Sequence, residues 1–296
     1  MKWQTSRFLI DVSRPQVMGI VNITPDSFSD GGRWAGPAAA MRHCDTLVAQ
    51  GADILDLGAE SSRPGAAPVP LELELQRLMP VLAYAVTLGV PVSVDTCKPE
   101  VMHAALDAGA DIINDIWALR QPWLAGGVSA AQAVAAHPTC GVCLMHMHRN
   151  PADMQQFPMQ GDVVVQVKEF LQQRVFDAQA LGIKNNRIFV DPGIGFGKTA
   201  EQNLALLARQ SELAPAGVGL LAGWSRKSSL AVLAASVGAE LGATDVASDR
   251  LVPSVVAALL AIQRGARVVR VHDVKETVQM VRLWQAVGSV PAASAR

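Results

Sequence analysis

The sequence has few cysteines, little net charge and no long apolar run. Its 296 residues include four cysteines, too few for the disulfide framework of a secreted protein, so we expect free thiols and a cytoplasmic location. A formal net charge of −1 argues against broad binding of nucleic acid or of an anionic membrane surface, because both need a basic surface. The longest apolar run, Val255–Ile262, is much shorter than a membrane span. Residues 1–7 lack the apolar core of a signal peptide.

Short apolar runs that end on or beside a polar residue recur along the chain, with segments long enough for a helix between them. Such alternation is typical of a parallel sheet covered on both faces, and eight units predict a (β/α)8 TIM barrel of the α/β class. We expect a single domain over residues 1–296, with a barrel core at about 16–284. Gly-Ala pairs at 51–52, 109–110 and 265–266 precede three runs and predict helix C-caps. The eight runs are Val17–Asn22, Asp53–Gly58, Pro91–Asp95, Asp111–Asp115, Gly141–His148, Arg187–Asp191, Val218–Ser225 and Arg267–His272.

The polar residues at the ends of these runs predict a catalytic site, because the catalytic groups of such barrels lie at the carboxyl ends of the strands. A carboxylate there can face a substrate, a cation or a metal, and an asparagine offers both a donor and an acceptor to a heterocycle. Helix capping stays open for any single one of them. Arg270 and His272 alternate onto one face of the last strand and predict an anion clamp. The strand-end residues are Asn22, Asp95, Asn114, Asp191, Lys227 and His272.

Three loops add further candidates. The segment from Asp191 to Lys198 contains a GxGxG pattern whose glycines we expect to let the backbone approach a flat ligand, with Phe196 as a stacking face. Residues 22–37 and 61–70 are long for barrel loops and predict a flap and its neighbour. His146 and His148 would share a face of a strand, so a metal site stays open there.

Eight motifs occur in the order typical of one enzyme family. The chain resembles the bacterial dihydropteroate synthases over about residues 16–284. The resemblance implies that the amine of 4-aminobenzoate attacks the methylene carbon of 7,8-dihydropterin-6-ylmethyl diphosphate, with Mg2+ accompanying the diphosphate and pyrophosphate departing. It also implies a homodimer. The motifs are MGIVNITPDSFSDGG from Met18, DLGAESSRPGA from Asp56, VSVDTCKPEV from Val92, DIINDI from Asp111, LMHM from Leu144, DPGIGFGK from Asp191, SRKS from Ser225 and RVHDVKE from Arg270.

The resemblance also assigns roles to single residues. The catalytic residues would be Asp95, Lys227 and Asp191. Pterin would contact Asp95, Asn114, Asp191, Lys227, Ile116, Met145 and Phe196. The diphosphate would contact Asn22, Arg270, His272 and Arg63, with Asn22 acting through Mg2+. Aminobenzoate would contact Ser62, Pro64, Phe28, Ser228 and Lys227.

The chain departs from the family pattern at three positions, and other functions remain open. Arg149 stands where the family usually has glycine, Ser62 replaces a commoner threonine, and Pro253 replaces a usual glycine. A pterin-dependent methyltransferase domain would share the barrel but would not need the anion clamp. An inactive pterin-binding barrel is a second alternative, and a metal-dependent hydrolase a third. The hydrolase would use His146, His148, Asp191 and His272.

Overall fold

Eight parallel strands close into a barrel, as the repeated apolar runs predict. The computed structural model describes residues 1–24, 32–61, 65–121, 127–151, 153–236 and 250–288, with the side chains of 32–35 and 233–236 left out. Neighbouring barrel strands follow the order β10-β3-β4-β5-β6-β7-β8-β9, and β10 pairs with both β3 and β9. The strands are β1 (Lys2–Gln4), β2 (Leu9–Asp11), β3 (Gln16–Asn22), β4 (Ile54–Gly58), β5 (Val92–Asp95), β6 (Ile112–Asp115), β7 (Gly141–Met145), β8 (Ile188–Asp191), β9 (Gly219–Ala222) and β10 (Val268–Val271).

Helices lie between successive barrel strands and cover the outside of the barrel. Outward-facing side chains such as Val94, Leu144 and Val190 pack against them in one continuous buried cluster. Among the described residues, no helix has the length and apolar character that crossing a membrane requires. The helices are α1 (Gly32–Ala49), α2 (Leu71–Ala85), α3 (Pro99–Asp107), α4 (Ala130–Ala136), α5 (Val163–Ala180), α6 (Ala200–Ala208), α7 (Ser228–Ser236), α8 (Leu251–Gln263) and α9 (Val274–Gly288).

Two predicted strands are too long. The run from Gly141 to His148 is a strand only as far as Met145, and the run ending at Ser225 is a strand only as far as Ala222. In both cases the chain turns away where the barrel ends, because a parallel strand needs neighbours on both sides for its backbone groups. The assignment of residues 1–296 to one domain stays a prediction.

The inside of the barrel has two levels, set by the two-residue period of its strands. At the amino ends of the strands, here called the lower end, the inward side chains are buried and, apart from Ser93 on β5, apolar. One step further along four of these strands, at the upper end, the inward side chain is polar or charged: Ile54 is followed by Asp56, Ile112 by Asn114, Phe189 by Asp191 and Val268 by Arg270. The lower group comprises Met18, Ile54, Ile112, Cys143, Phe189, Leu221 and Val268.

A hairpin of β1 and β2 closes the lower end. Trp3 is fully buried, its ring stacks on Phe189 with centroids 4.0 Å apart, and its indole N–H donates to the carbonyl of Arg187 at 2.9 Å. Gly219 leaves room for the Phe189 ring, since a Cβ there would lie 2.2 Å from Phe189 Cζ. The sequence did not predict this hairpin, because three-residue strands are too short to show a period.

The backbone turns differ between the two ends. At the lower end, Gly51, Gly109 and Gly265 all have a φ of +96°, which confirms the predicted glycine caps. Non-glycine residues with positive φ, among those described, follow the carboxyl ends of strands. They are Ala118, Leu119, Arg149 and Arg226, with φ values from 53° to 62°.

Candidate active site

Sheet register brings the predicted strand-end residues together at the upper end. Asn22 is level with Gly58, Gly58 with Asp95, and Asp95 with Asn114, so one row crosses four neighbouring strands. Asp191 lies level with Met145 on the next pair. Parallel strands of matched register therefore carry these side chains into one mouth, as the barrel prediction requires.

A buried carboxylate that the sequence reading missed connects this row to the last strand. Asp56, on β4, is fully buried and accepts a hydrogen bond from Nε of Arg270 at 2.6 Å. Its two oxygens also lie 3.3 and 3.5 Å from the amide nitrogen of Asn114. Nη2 of Arg270 donates to Asp95 at 2.7 Å. Arg270 thus lies between two carboxylates.

Burial raises the pKa of two carboxyl groups in this mouth. The pKa of Asp95 rises to about 7, because burial outweighs the positive charge of Arg270, and the nearby charge of Asp56 adds to the rise. Burial also raises the pKa of Asp191, whose Oδ1 accepts the backbone N–H of Gly193 at 2.7 Å. Strongly shifted groups in one cleft are typical of a catalytic or binding site.

Lys227 lies above an aromatic ring next to the carboxylates. Its Nζ is 4.4 Å from the ring centroid of Phe196, a cation–π contact. Burial, and then the charge of Arg270, lower the pKa of Lys227 to about 8. Phe196 also belongs to a small buried cluster with Met145, against which Ile116 packs. The three predicted walls of a flat pocket therefore come together beside the lysine.

Two glycines of the loop after β8 lie in close contact with the segment that follows β7. A Cβ on Gly193 would lie 1.9 Å from the carbonyl oxygen of His146, and one on Gly197 would lie 2.7 Å from the Cβ of His148. These two glycines therefore allow a close approach to the chain's own 146–148 segment, and an approach to a flat ligand stays a prediction. Buried Lys198 holds the loop from inside, donating to the carbonyls of Gly193 and Phe196 at 2.9 and 3.1 Å.

Hydrogen bonds join the segments that follow β9 and β10. His272 donates its backbone N–H to Ser225 Oγ at 3.1 Å, and its Nδ1 lies 3.0 Å from the same oxygen. Burial, followed by the charges of Arg226 and Arg270, lowers the pKa of His272 to about 3, so the ring is neutral at physiological pH. Arg226 pairs with Asp273 through two nitrogens, at 2.5 and 3.2 Å.

The metal site considered for His146 and His148 finds no support. Both residues lie beyond the end of β7, so they do not share a strand face, and His146 is buried with its ring edge on Phe170. Within the described ranges no group of three or more histidine, cysteine, aspartate or glutamate side chains could hold a metal ion. A hydrolase with a protein-held metal is therefore not favoured.

A comparison with known protein families assigns the chain to one of them. The pterin binding enzyme family matches residues 18–272. The chain belongs to this family. It is 45% identical to the dihydropteroate synthase of Neisseria meningitidis serogroup C, with 97% of each chain covered.

Solved structures agree with this assignment. The dihydropteroate synthase of Xanthomonas albilineans with 4-aminobenzoic acid has a TM-score of 0.87 and 46% identity, covering 98% of this chain and 100% of its own. The Burkholderia cenocepacia enzyme complexed with 7,8-dihydropteroate has a TM-score of 0.84 and 44% identity, covering 97% and 96%.

Four of the predicted substrate-binding residues lie in parts of the chain that the structure does not describe. Phe28, Ser62, Arg63 and Pro64 lie outside the described residues. Ser228 begins α7 and is exposed.

A cluster of charged residues that the sequence analysis did not predict lies just before residues 62–64. Lys98 donates to Glu60 and to fully buried Glu74, which also accepts from Thr96 Oγ1 at 2.6 Å. The cluster joins the loops that follow β4 and β5.

Proposed function

We propose that this chain is a dihydropteroate synthase that joins 4-aminobenzoate to 7,8-dihydropterin-6-ylmethyl diphosphate and releases pyrophosphate. The observation that carries the proposal is the guanidinium of Arg270, which lies between Asp56 and Asp95 at the mouth that also holds Asn114 and Asp191. One site then combines Asn114 and Asp191, which can hydrogen-bond to a heterocycle, with Arg270, whose positive charge can stabilise a departing anion. The family membership and the named relatives support the same reaction.

The strand-borne groups would hold the pterin. Asp191 accepts two N–H bonds of the aminopyrimidine, which fixes orientation as well as adding affinity. Asn114 reads a second edge, and Lys227 donates to the ring carbonyl. Ile116, Met145 and Phe196 supply the apolar walls, which their buried cluster supports.

The diphosphate would lie towards β10 and the loop after β4. Arg270 supplies charge there, and Arg63 adds a second guanidinium. His272 contributes a neutral imidazole. In the tautomer in which Ser225 Oγ donates to Nδ1, the ring proton lies on Nε2 and can be donated to the diphosphate. A neutral donor suits an anion that must later leave.

Mg2+ would accompany the diphosphate. A bound diphosphate would bring further negative charge to an end of the barrel that already holds Asp56, Asp95 and Asp191. With no three-ligand cluster in the described parts of the chain, the donors fit a cation held mainly by phosphate and water, with Asn22 as a protein ligand. The ion would neutralise charge on the leaving group.

Asp95 would act in the reaction itself. The carbon–oxygen bond breaks first and its electron pair leaves with the diphosphate. The amine nitrogen then forms a bond to the methylene carbon and loses one proton, which the released pyrophosphate accepts. Positive charge builds on the pterin as the diphosphate departs. Asp95 has a pKa of about 7 in this site, and the positive charge on the pterin favours its ionised form. The ionised carboxylate in turn stabilises the positive charge on the pterin.

Aminobenzoate would enter from the side of the loops. Lys227 pairs with its carboxylate, Ser228 lies at the start of α7 beside it, and Ser62, Pro64 and Phe28 would line and cover the site. Closing loops would exclude water from the bare carbon.

A homodimer in the cytoplasm completes the proposal. Four cysteines outside any disulfide support the location.

Pyrophosphate release tests the function. Purified protein is mixed with 7,8-dihydropterin-6-ylmethyl diphosphate and Mg2+, with and without 4-aminobenzoate. We expect release that requires aminobenzoate, with dihydropteroate as the product. Pterin binding without any release would instead favour an inactive barrel or a methyltransferase domain.

A further inference from the structure

Asp56 is a buried charge in the middle of a strand, where neither capping nor solvent can account for it. It is fully buried on β4, and burying a carboxylate is costly unless it is paired and hydrogen-bonded. Its partners are Arg270 on β10 and Asn114 on β6. One carboxylate therefore contacts both sides of the mouth.

The contact with Asn114 determines which atom the amide turns to the ligand. An ionised carboxylate can only accept hydrogen bonds, so the amide nitrogen of Asn114 must face Asp56. The amide oxygen of Asn114 is thereby left as the acceptor for a ligand. An uncharged amide at position 56 would remove this restraint, because it can donate or accept.

The contact with Arg270 fixes the plane of the guanidinium. Asp56 takes Nε at 2.6 Å while Asp95 takes Nη2 at 2.7 Å. Held at Nε, the side chain cannot rotate its planar fork without losing a charge-assisted bond. The bond to Asp56 does not depend on Asp95, so it would hold the guanidinium in place if Asp95 contacted a substrate instead.

We propose that Asp56 is a positioning residue that orients Asn114 towards the pterin and Arg270 towards the diphosphate, so that one buried carboxylate aligns both halves of the substrate. The inference rests on the proposed function. It assigns Asp56 no direct contact with substrate.

A swap of the two polar side chains tests this inference. Asp56→Asn should weaken binding of 6-hydroxymethyl-7,8-dihydropterin, measured by titration calorimetry, by about tenfold or more, since a hydrogen bond to a charged group is involved. Asn114→Asp should also weaken it, because two carboxylates would then lie side by side. The double variant, Asp56→Asn with Asn114→Asp, keeps the net charge of the site. Its amide at position 56 can accept from Arg270 and donate to the carboxylate at position 114. That carboxylate still offers an acceptor oxygen to the pterin. This variant should recover at least half of the lost binding free energy.

Asp111→Asn is the matched control. Asp111 is a fully buried carboxylate that pairs with Arg7 at 2.6 Å, but it lies at the lower end. We expect it to lower stability while leaving pterin affinity unchanged. The affinity for inorganic pyrophosphate should change in Asp56→Asn, where Arg270 loses its charge-assisted bond at Nε, and not in Asp111→Asn.

The outcomes are separable. Unchanged pterin and pyrophosphate affinities in a folded Asp56→Asn protein would overturn the positioning role, and so would a double variant no better than the singles. If the single variant does not fold, the charge-balanced double variant decides alone, because it should fold and bind pterin. Failure of the proposed function would be seen instead in the wild-type protein, as absent pyrophosphate release.

Discussion

The two ends of the barrel are built from the same strands but obey different rules. At the lower end the inward side chains are mostly apolar, close-packed and covered by the Trp3 hairpin. Two residues further along the same strands, Asp56, Asn114 and Arg270 form a network of charges and amides. The comparison shows that one pattern of alternation can assign stability to one level and chemistry to the next.

Backbone strain follows the same division. Glycines take the positive φ angles at the lower end, where a residue without a Cβ fits at no steric cost. At the upper end, glycines of the loop after β8 also have positive φ, but so do four residues that carry a Cβ: Ala118, Leu119, Arg149 and Arg226. Strain that is held in place by the surroundings is typical of functional sites.

The largest effect is expected from breaking the lower end. Phe189→Ala removes a ring that is 1% exposed and stacked on Trp3. We expect the free energy of unfolding to fall by about 3–5 kcal/mol in denaturant titrations. Phe176→Ala, at a ring that is 64% exposed, should change it by less than about 0.5 kcal/mol. A large loss of kcat in folded Phe189→Ala would contradict the division between the two ends.

At the upper end, Asp95→Ala should affect catalysis rather than stability. We expect kcat to fall by about a hundredfold or more, with a smaller loss of pterin affinity, because the interaction strengthens as charge builds in the transition state. Single-turnover rates and equilibrium binding separate the two. Equal losses would make Asp95 a binding residue only.

The pH dependence sharpens the role of Lys227. Its pKa of about 8 means that the cation is lost as pH rises above that value. The kcat/KM for aminobenzoate should therefore fall on the alkaline side, by about tenfold per pH unit once the group is deprotonated. Lys227→Ala should weaken both substrates and lack this alkaline limb. The limb persisting in the variant, or unchanged affinity for both substrates, would refute the role.

The smallest effect concerns strain at the upper end. Arg149, where the family usually has glycine, has a φ of 62° and contacts Asp153 at 3.3 Å and the Phe157 ring at 4.7 Å. Both Arg149→Gly and Arg149→Ala remove these contacts, but only glycine relieves the strain. Thermal unfolding should find the glycine variant more stable than the alanine variant by about 1 kcal/mol. Equal stabilities would mean that the turn is unstrained.

The features that follow from local sequence patterns could be predicted from the sequence. The eight strands followed from apolar runs, and Asp95, Asn114 and Asp191 followed from their place at strand ends. Asp56 was missed because it lies inside a run, although a charge in a strand buried on both faces must have a partner. The Lys98 cluster was missed because its members are far apart in sequence. Such pairings depend on tertiary contacts that periodicity does not encode.

The strand that completes the barrel is also the one that carries Arg270. During synthesis β10 emerges after the other strands, yet it must pair with β3, which lies near the start of the chain. A nascent chain without β10 would hold Asp95, Asn114 and Asp191 on an open sheet with two unpaired edges. It would also lack the guanidinium that occupies Asp56. Barrel closure and the placement of Arg270 beside Asp56 and Asp95 are therefore one event, so a chain without β10 lacks the charge network of the upper end.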